Sequence, residues 1–164
     1  MSKLWRIIAS IAFFGPPLAW NAARQYRAIP PLPVDDDLEE TLPSLSVIIP
    51  ARNEAKNLQR LLPSLLAVPY PGMYEVIVVD DGSTDTTAEV ASNYQVRLIQ
   101  LTDLPADWLG KPHACHQAVQ AAKGEWVLFT DADTIHASNG PIQAMCYAIK
   151  HNLDGLSLLI ADKI

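Results

Sequence analysis

The sequence predicts an α/β domain built on a mostly parallel sheet and preceded by a separate hydrophobic helix. Three observations carry that expectation. From Leu45 onward, short apolar runs rich in β-branched residues alternate with longer segments of helical character, the pattern of strand–helix–strand units. The apolar runs are continuous rather than alternating, as strands covered on both faces require. Ahead of them, Leu4–Trp20 is almost wholly apolar apart from Arg6 and Ser10. A length of 164 residues allows one such domain and hardly two.

The elements follow in order. Leu4–Trp20 is short for a bilayer core, which takes about 20 helical residues, and Pro16-Pro17 end or kink a helix near Phe14. A membrane anchor over residues 1–20 leads, because Trp5 and Trp20 bracket the stretch as interfacial aromatics do. A cleaved signal peptide competes, since Lys3 and Arg6 precede the apolar core, yet no clean small-residue cleavage site follows. An ordinary buried helix is the third reading. Lys3 and Arg6 balance Arg24 and Arg27, so charge does not orient the segment. Residues 21–43 read as a linker, extended at Pro30, Pro31 and Pro33 and solvated at Asp35, Asp36, Asp37, Glu39 and Glu40.

Within 44–164, strands are expected at Leu45–Ile49, Glu75–Val79, Val96–Leu101, Glu125–Thr130 and Gly155–Ile160. Helices are expected at Asn53–Leu66, Thr84–Asn93, Pro112–Ala122 and Pro141–His151. Ser83 and Thr84 offer caps for the second helix, and Pro141 suits the first turn of the fourth.

Composition narrows the function classes. Net charge is −6, but five of the carboxylates lie in the acidic run before Leu45, so the rest is close to neutral. That is not the basic footprint of a nucleic-acid binder. Two cysteines, Cys115 and Cys146, cannot build a disulfide framework and suit a reducing compartment. The composition also excludes collagen and low-complexity disorder.

Chemistry is expected beyond the carboxyl ends of the strands, where open parallel sheets bind ligands. Three strand ends carry unusual residues: Pro50-Ala51-Arg52-Asn53-Glu54, then Asp80-Asp81-Gly82-Ser83-Thr84-Asp85, then Asp131-Ala132-Asp133-Thr134. Asp80, Asp81, Asp131 and Asp133 therefore converge on one rim. Crowded like charges need a cation or hydrogen-bond donors, which points to a divalent metal, a nucleotide, or both. Each motif alone is weak: Asp-Gly-Ser-Thr is a common strand-to-helix turn, and Asp-x-Asp occurs often by chance. Their joint placement after apolar strands is what favours a site.

The blocks LSVIIPARNEAKNL, EVIVVDDGSTDTT and GKPHACHQAVQAAKGEWVLFTDADT resemble, in order and spacing, the nucleotide-binding half of family 2 glycosyltransferases of the GT-A fold. The resemblance covers roughly Leu45 to Ile160 and implies a Rossmann-like nucleotide-sugar-binding domain. DWLGKPHA and the apolar N-terminus resemble most the membrane-associated members acting on carotenoid or hopanoid lipids, which implies a cytoplasmic-side catalytic domain and a lipid-like acceptor. By the same resemblance, Pro50, Ala51, Arg52 and Glu54 border the uridine and ribose of a UDP-sugar. Asp81 accepts the uracil imide N–H, with Asp80 supporting the loop. Asp131 and Asp133 hold Mg²⁺ or Mn²⁺ against the diphosphate, where hard oxygens suit such a cation. Lys111 is placed to reach the nucleotide or its phosphates.

Two departures stand out. Where family members often carry Ala-Leu-Asn, this chain has Ala114-Cys115-His116. His113 and His116 share a helix face by spacing, yet two ligands are too few for zinc, so packing or polar contacts are expected of them. Cys115 reads as a small buried residue rather than a nucleophile. The family's catalytic domain also runs well past its Asp-x-Asp, so the resemblance implies a donor-binding half whose general base lies beyond Ile164. Two alternatives compete with a working transferase: an inactive, membrane-tethered nucleotide-binding fragment, and a haloacid-dehalogenase-like phosphohydrolase reading Asp131-Ala132-Asp133-Thr134 as its nucleophile motif.

Overall fold

The computed structural model describes residues 6–9, 42–134, 136, 139–153 and 155–156. Its strands are β1 (Arg6–Ala9), β2 (Leu45–Ala51), β3 (Tyr74–Asp80), β4 (Arg97–Gln100), β5 (Trp126–Phe129) and β6 (Gly155–Leu156). Its helices are α1 (Ala55–Leu66), α2 (Thr87–Ser92), α3 (Gly110–Ala121) and α4 (Gly140–Lys150). The strands form one sheet in the order β4-β3-β2-β5-β1-β6, and every pairing is parallel. An α/β fold with a parallel sheet is what the alternating texture predicts.

Burial explains the continuous apolar runs. All of β2 except Pro50 is buried, as are the last five residues of β3. Alternate side chains serve opposite layers. Leu45, Val47 and Ile49, with Val76 and Val78, join Leu58, Leu61, Leu62 and Leu65 of α1 and Ile142 and Met145 of α4 in the larger core. Ile48, Ile77, Val79 and Val127 face the other way, onto Ala114 and Ala118 of α3. Burial of such branched side chains is worth about 1.5–3 kcal/mol each before entropy is counted. β4 lies at the sheet's edge, and none of its residues is fully buried.

A polar knot closes the opposite end of the sheet. Ser46 Oγ, fully buried, donates to Glu75 Oε1 at 2.6 Å and accepts the Gly124 N–H at 2.9 Å. The Lys123 N–H donates to the same Glu75 oxygen at 2.7 Å. Gly124 is obligatory there: a Cβ would sit 2.6 Å from the Ser46 nitrogen and 2.8 Å from the Leu45 carbonyl carbon. The knot fixes where the chain enters β5 and hence where it leaves at the far rim.

Four expectations need correction. Arg6–Ala9 is a strand, not part of a separate hydrophobic helix: β1 runs between β5 and β6, with Ile7 opposite Val127 on one side and Gly155 on the other. The physical reason is that a continuous apolar run fits a central strand as well as a helix, and periodicity alone does not separate them. The remaining residues of the 1–20 segment, and nearly all of the 21–43 linker, lie outside the described residues. So do residues 157–160 of the expected last strand, of which β6 is the described part. Among the described residues no helix is long and apolar enough to cross a membrane. α1 starts at Ala55 rather than Asn53, because Asn53 takes a left-handed φ of 57°. α2 starts at Thr87 rather than Thr84, and Ser83 and Thr84 do not cap it; both are engaged with Asn53 instead.

Candidate functional site

Parallel strands bring their carboxyl ends to one rim, and there the chain turns sharply three times. After β2, Asn53 in the left-handed region reverses the backbone into α1. After β3, Gly82 does the same with φ 67°, a conformation glycine adopts without steric cost. After β5, Thr130–Thr134 forms a tight turn, its Thr134 N–H reaching the Asp131 carbonyl at 3.3 Å. The rim is laced between strands, with the Asp81 N–H on the Ala51 carbonyl at 2.9 Å.

The first two turns are stitched together. Asn53 Oδ1 accepts the Thr84 N–H at 2.8 Å, and Ser83 Oγ accepts the Asn53 N–H at 2.9 Å. The Glu54 N–H donates to Thr87 Oγ1 at 2.8 Å, and that hydroxyl donates on to Asp85 Oδ1. The Thr87 hydroxyl bond holds the Asp85 carboxyl below the usual carboxylate range. Asp80, almost wholly buried, accepts the Ser83 N–H at 3.0 Å.

Between the turns lies a cleft of about 480 Å³. The end of β2 and its turn supply Pro50, Ala51, Arg52 and Glu54; the end of β3 supplies Asp81. The start of α3 supplies Gly110 and Lys111, and the turn after β5 supplies Asp131, Ala132 and Asp133. Nine residues were expected at a site from sequence; eight of them line this cleft, and Asp80 sits beneath it as a brace for the Asp81–Ser83 turn. Sequence reading missed Gly110, against which the Asp81 carboxylate packs, and Asn53, which ties two of the turns.

The charges are unbalanced. Among the described residues lining the cleft are four carboxylates, Glu54, Asp81, Asp131 and Asp133, and two cations, Arg52 and Lys111. Lys111 Nζ rests 2.5 Å from Asp131 Oδ1, in an ion pair that is 61% exposed at the lysine and 22% at the aspartate. Such an exposed pair contributes little to stability. Among the described residues, no group of three or more His, Cys, Asp or Glu is placed to hold a metal ion. Asp131 and Asp133 supply hard carboxylate oxygens of the kind Mg²⁺ or Mn²⁺ takes, and an ion held by these two alone would need ligand oxygens and water to complete its shell.

The neighbouring histidines and cysteine have ordinary explanations. His113 and His116 lie against the Trp108 ring, at centroid distances of 5.5 and 5.0 Å. Both pack on an aromatic ring, and His113 Nε2 also lies 3.3 Å from Gln117 Nε2. Burial pushes the half-buried Cys115 thiol up, outweighing the opposing Lys111 charge, so it is a poor nucleophile.

Residues 46–161 match the family described as Glycosyl transferase family 2. The chain belongs to that family. The same match covers the Asp131–Thr134 run that had suggested a phosphohydrolase. A 4,4'-diaponeurosporenoate glycosyltransferase of Staphylococcus aureus (strain bovine RF122 / ET3-1) is 33% identical over 146 residues, covering 88% of this chain and 36% of the relative. The chain thus spans about a third of the length of the curated relatives it matches. The crystal structure of S. aureus TarS 1-349 in complex with UDP superimposes with a TM-score of 0.57 at 31% identity, over 66% of this chain and 33% of that one. The mannosyltransferase PcManGT from Pyrobaculum calidifontis, in complex with GDP-Man and Mn²⁺, gives 0.58 at 28% identity, over 80% and 39%. These neighbours support the GT-A-like fold.

Proposed function

We propose that this glycosyltransferase family 2 chain binds the donor of a sugar transfer, a UDP-sugar held with Mg²⁺ or Mn²⁺, and that the acceptor is lipid-like, of carotenoid type. The observation that carries the donor reading is the convergence of three strand-end turns on one cleft with four carboxylates and two cations. A nucleoside diphosphate adds negative charge to that cleft, so a bound divalent cation is required to offset the repulsion. Such a cation supplies Lewis-acid stabilisation of the departing diphosphate. UDP in a TarS complex and Mn²⁺ in the PcManGT complex support both parts.

The chain's own residues take distinct roles in this reading. Asp81 accepts the uracil imide N–H, while Ala51, Arg52 and Glu54 flank the ribose. Asp131 and Asp133 present oxygens to the cation. Lys111, already within reach of Asp131, can exchange that partner for a phosphate oxygen. The acceptor class is supported by the diaponeurosporenoate glycosyltransferases among the relatives. It is also supported by Leu104, Trp108 and Leu109, three exposed apolar side chains in the segment leading to Gly110. A lipid acceptor would place the protein at a membrane surface, on the cytoplasmic side where nucleotide-sugars are available.

The test is a substitution at the cation site. Asp133→Asn should weaken UDP binding about tenfold with Mn²⁺ present, the loss of one charged ligand contact. Uridine, which lacks the diphosphate, should be affected no more than about twofold by the same arithmetic. Calorimetry with both ligands measures this; equal losses for UDP and uridine would refute the assignment of Asp133 to the diphosphate.

A further inference from the structure

His136 is not among the cleft-lining residues, yet it is tied to the turn that carries Asp131 and Asp133. Its Nε2 lies 2.7 Å from Thr130 Oγ1. Thr130 Oγ1 lies 2.8 Å from Thr134 Oγ1. Thr134 Oγ1 in turn donates to the Asp131 carbonyl oxygen at 2.6 Å.

Counting protons gives this row a direction. Two hydroxyls bring two hydrogens. The Thr134 hydrogen goes to the carbonyl, and the Thr130 hydrogen is then the one available between the two threonines. For the 2.8 Å contact between the threonines and the 2.7 Å contact to the imidazole both to be hydrogen bonds, Nε2 must carry a proton and donate it. Both threonines are buried, so a broken link would strand a polar group away from water.

The other ring nitrogen agrees with that tautomer. A Cβ built on Gly140 would lie 3.9 Å from His136 Nδ1, which puts Nδ1 beside the first residue of α4. A helix start offers free N–H groups and a positive dipole end, which favour a lone pair there over a second N–H. Burial also holds the imidazole below its ordinary pKa, in the neutral form.

The turn needs such a brace. Its Thr130 N–H is tied to the Ile48 carbonyl at 3.0 Å, but the backbone bond closing the turn, Thr134 N–H to the Asp131 carbonyl, is a long 3.3 Å. The side-chain row converges on that same carbonyl.

We propose that His136 is a positioning residue whose Nε2–H heads a hydrogen-bond chain through Thr130 and Thr134 to the Asp131 carbonyl. That chain fixes the turn presenting Asp131 and Asp133 to the cleft. The proposal rests on the reading of this turn as the cation and diphosphate site.

Two measurements test it on the full chain. With ¹⁵N-histidine labelling, His136 should show a protonated Nε2 and an unprotonated Nδ1 at neutral pH, and Thr130→Val should shift the Nε2 resonance. A proton on Nδ1, or an Nε2 resonance indifferent to Thr130→Val, overturns the chain. The second arm reads free Mn²⁺ by electron paramagnetic resonance in the presence of UDP. His136→Phe should weaken Mn²⁺ binding about tenfold, as loss of an outer-shell partner does. His136→Gln, whose amide N–H replaces the Nε2 donor, should restore affinity to within about threefold of wild type. A residue serving only stability would lower the melting temperature and leave Mn²⁺ affinity of the folded protein unchanged, which would overturn the positioning role. If the wild-type chain failed to bind Mn²⁺ with UDP, the donor-site reading would fall and take that role with it. The labelling arm would still say whether the chain of hydrogen bonds exists.

Discussion

Gly110 determines where the Asp81 carboxylate can rest. A Cβ at position 110 would come within 2.2 Å of Asp81 Oδ2, so any side chain there displaces that carboxylate. Gly110 begins α3 and has no positive φ, so alanine suits its backbone and favours the helix. Gly110→Ala should therefore keep or slightly raise the melting temperature while UDP affinity falls about tenfold, the worth of one charge-assisted hydrogen bond. Calorimetry beside a thermal melt checks this, and unchanged UDP affinity would remove Asp81 from the site. At this scale, the sequence showed residues whose chemistry is written in their type. Paired aspartates after apolar strands announce a charged rim wherever they fold. Gly110 and His136 carry no such mark, because one acts through the space it leaves and the other through two threonines. Both depend on contacts across turns that spacing does not reveal.

The turns between elements are where expectation and structure part. Strand cores matched closely because β-branched apolar runs have few alternatives once both faces are covered. The starts of α1 and α2 moved by two and three residues because side chains of one turn serve the other. Asn53 is the hinge of that exchange, holding a left-handed φ and accepting the Thr84 N–H at 2.8 Å. Asn53→Ala puts a Cβ-bearing residue without a polar group into that conformation and leaves the Thr84 N–H without its acceptor. It should cost about 1–2 kcal/mol of stability. Asn53→Gly restores the backbone freedom but not the acceptor, and should recover part of the loss. Urea unfolding of the three proteins measures the order; a glycine variant less stable than the alanine variant would show that the φ angle is not what asparagine supplies. The strand at Arg6–Ala9 was illegible for a different reason. An apolar run beside prolines looks the same to a membrane, a signal-peptide core or a sheet, and only pairing with β5 and β6 distinguishes them.

For the molecule as a whole, the parallel sheet does two jobs with one geometry. Its layers bury the branched side chains of β2 and β3 on both faces, and its shared strand direction gathers every chemically loaded turn at one rim. The polar knot of Ser46, Glu75 and Gly124 secures the other end, leaving the rim as the end where chemistry collects. Family membership agrees with that division, and the cleft's excess of carboxylates turns it into a quantitative expectation. A diphosphate approaching Glu54, Asp81, Asp131 and Asp133 meets repulsion that Arg52 and Lys111 cannot offset alone. On the proposed reading, this cleft holds a nucleoside diphosphate only with the help of a cation. Titration of the chain with UDP in a calorimeter, with Mn²⁺ and then with a chelator, tests it most directly. Saturable one-to-one binding is expected with Mn²⁺, and affinity at least about tenfold weaker under chelation. Equal affinity in both conditions, or no binding by folded protein, would contradict that reading.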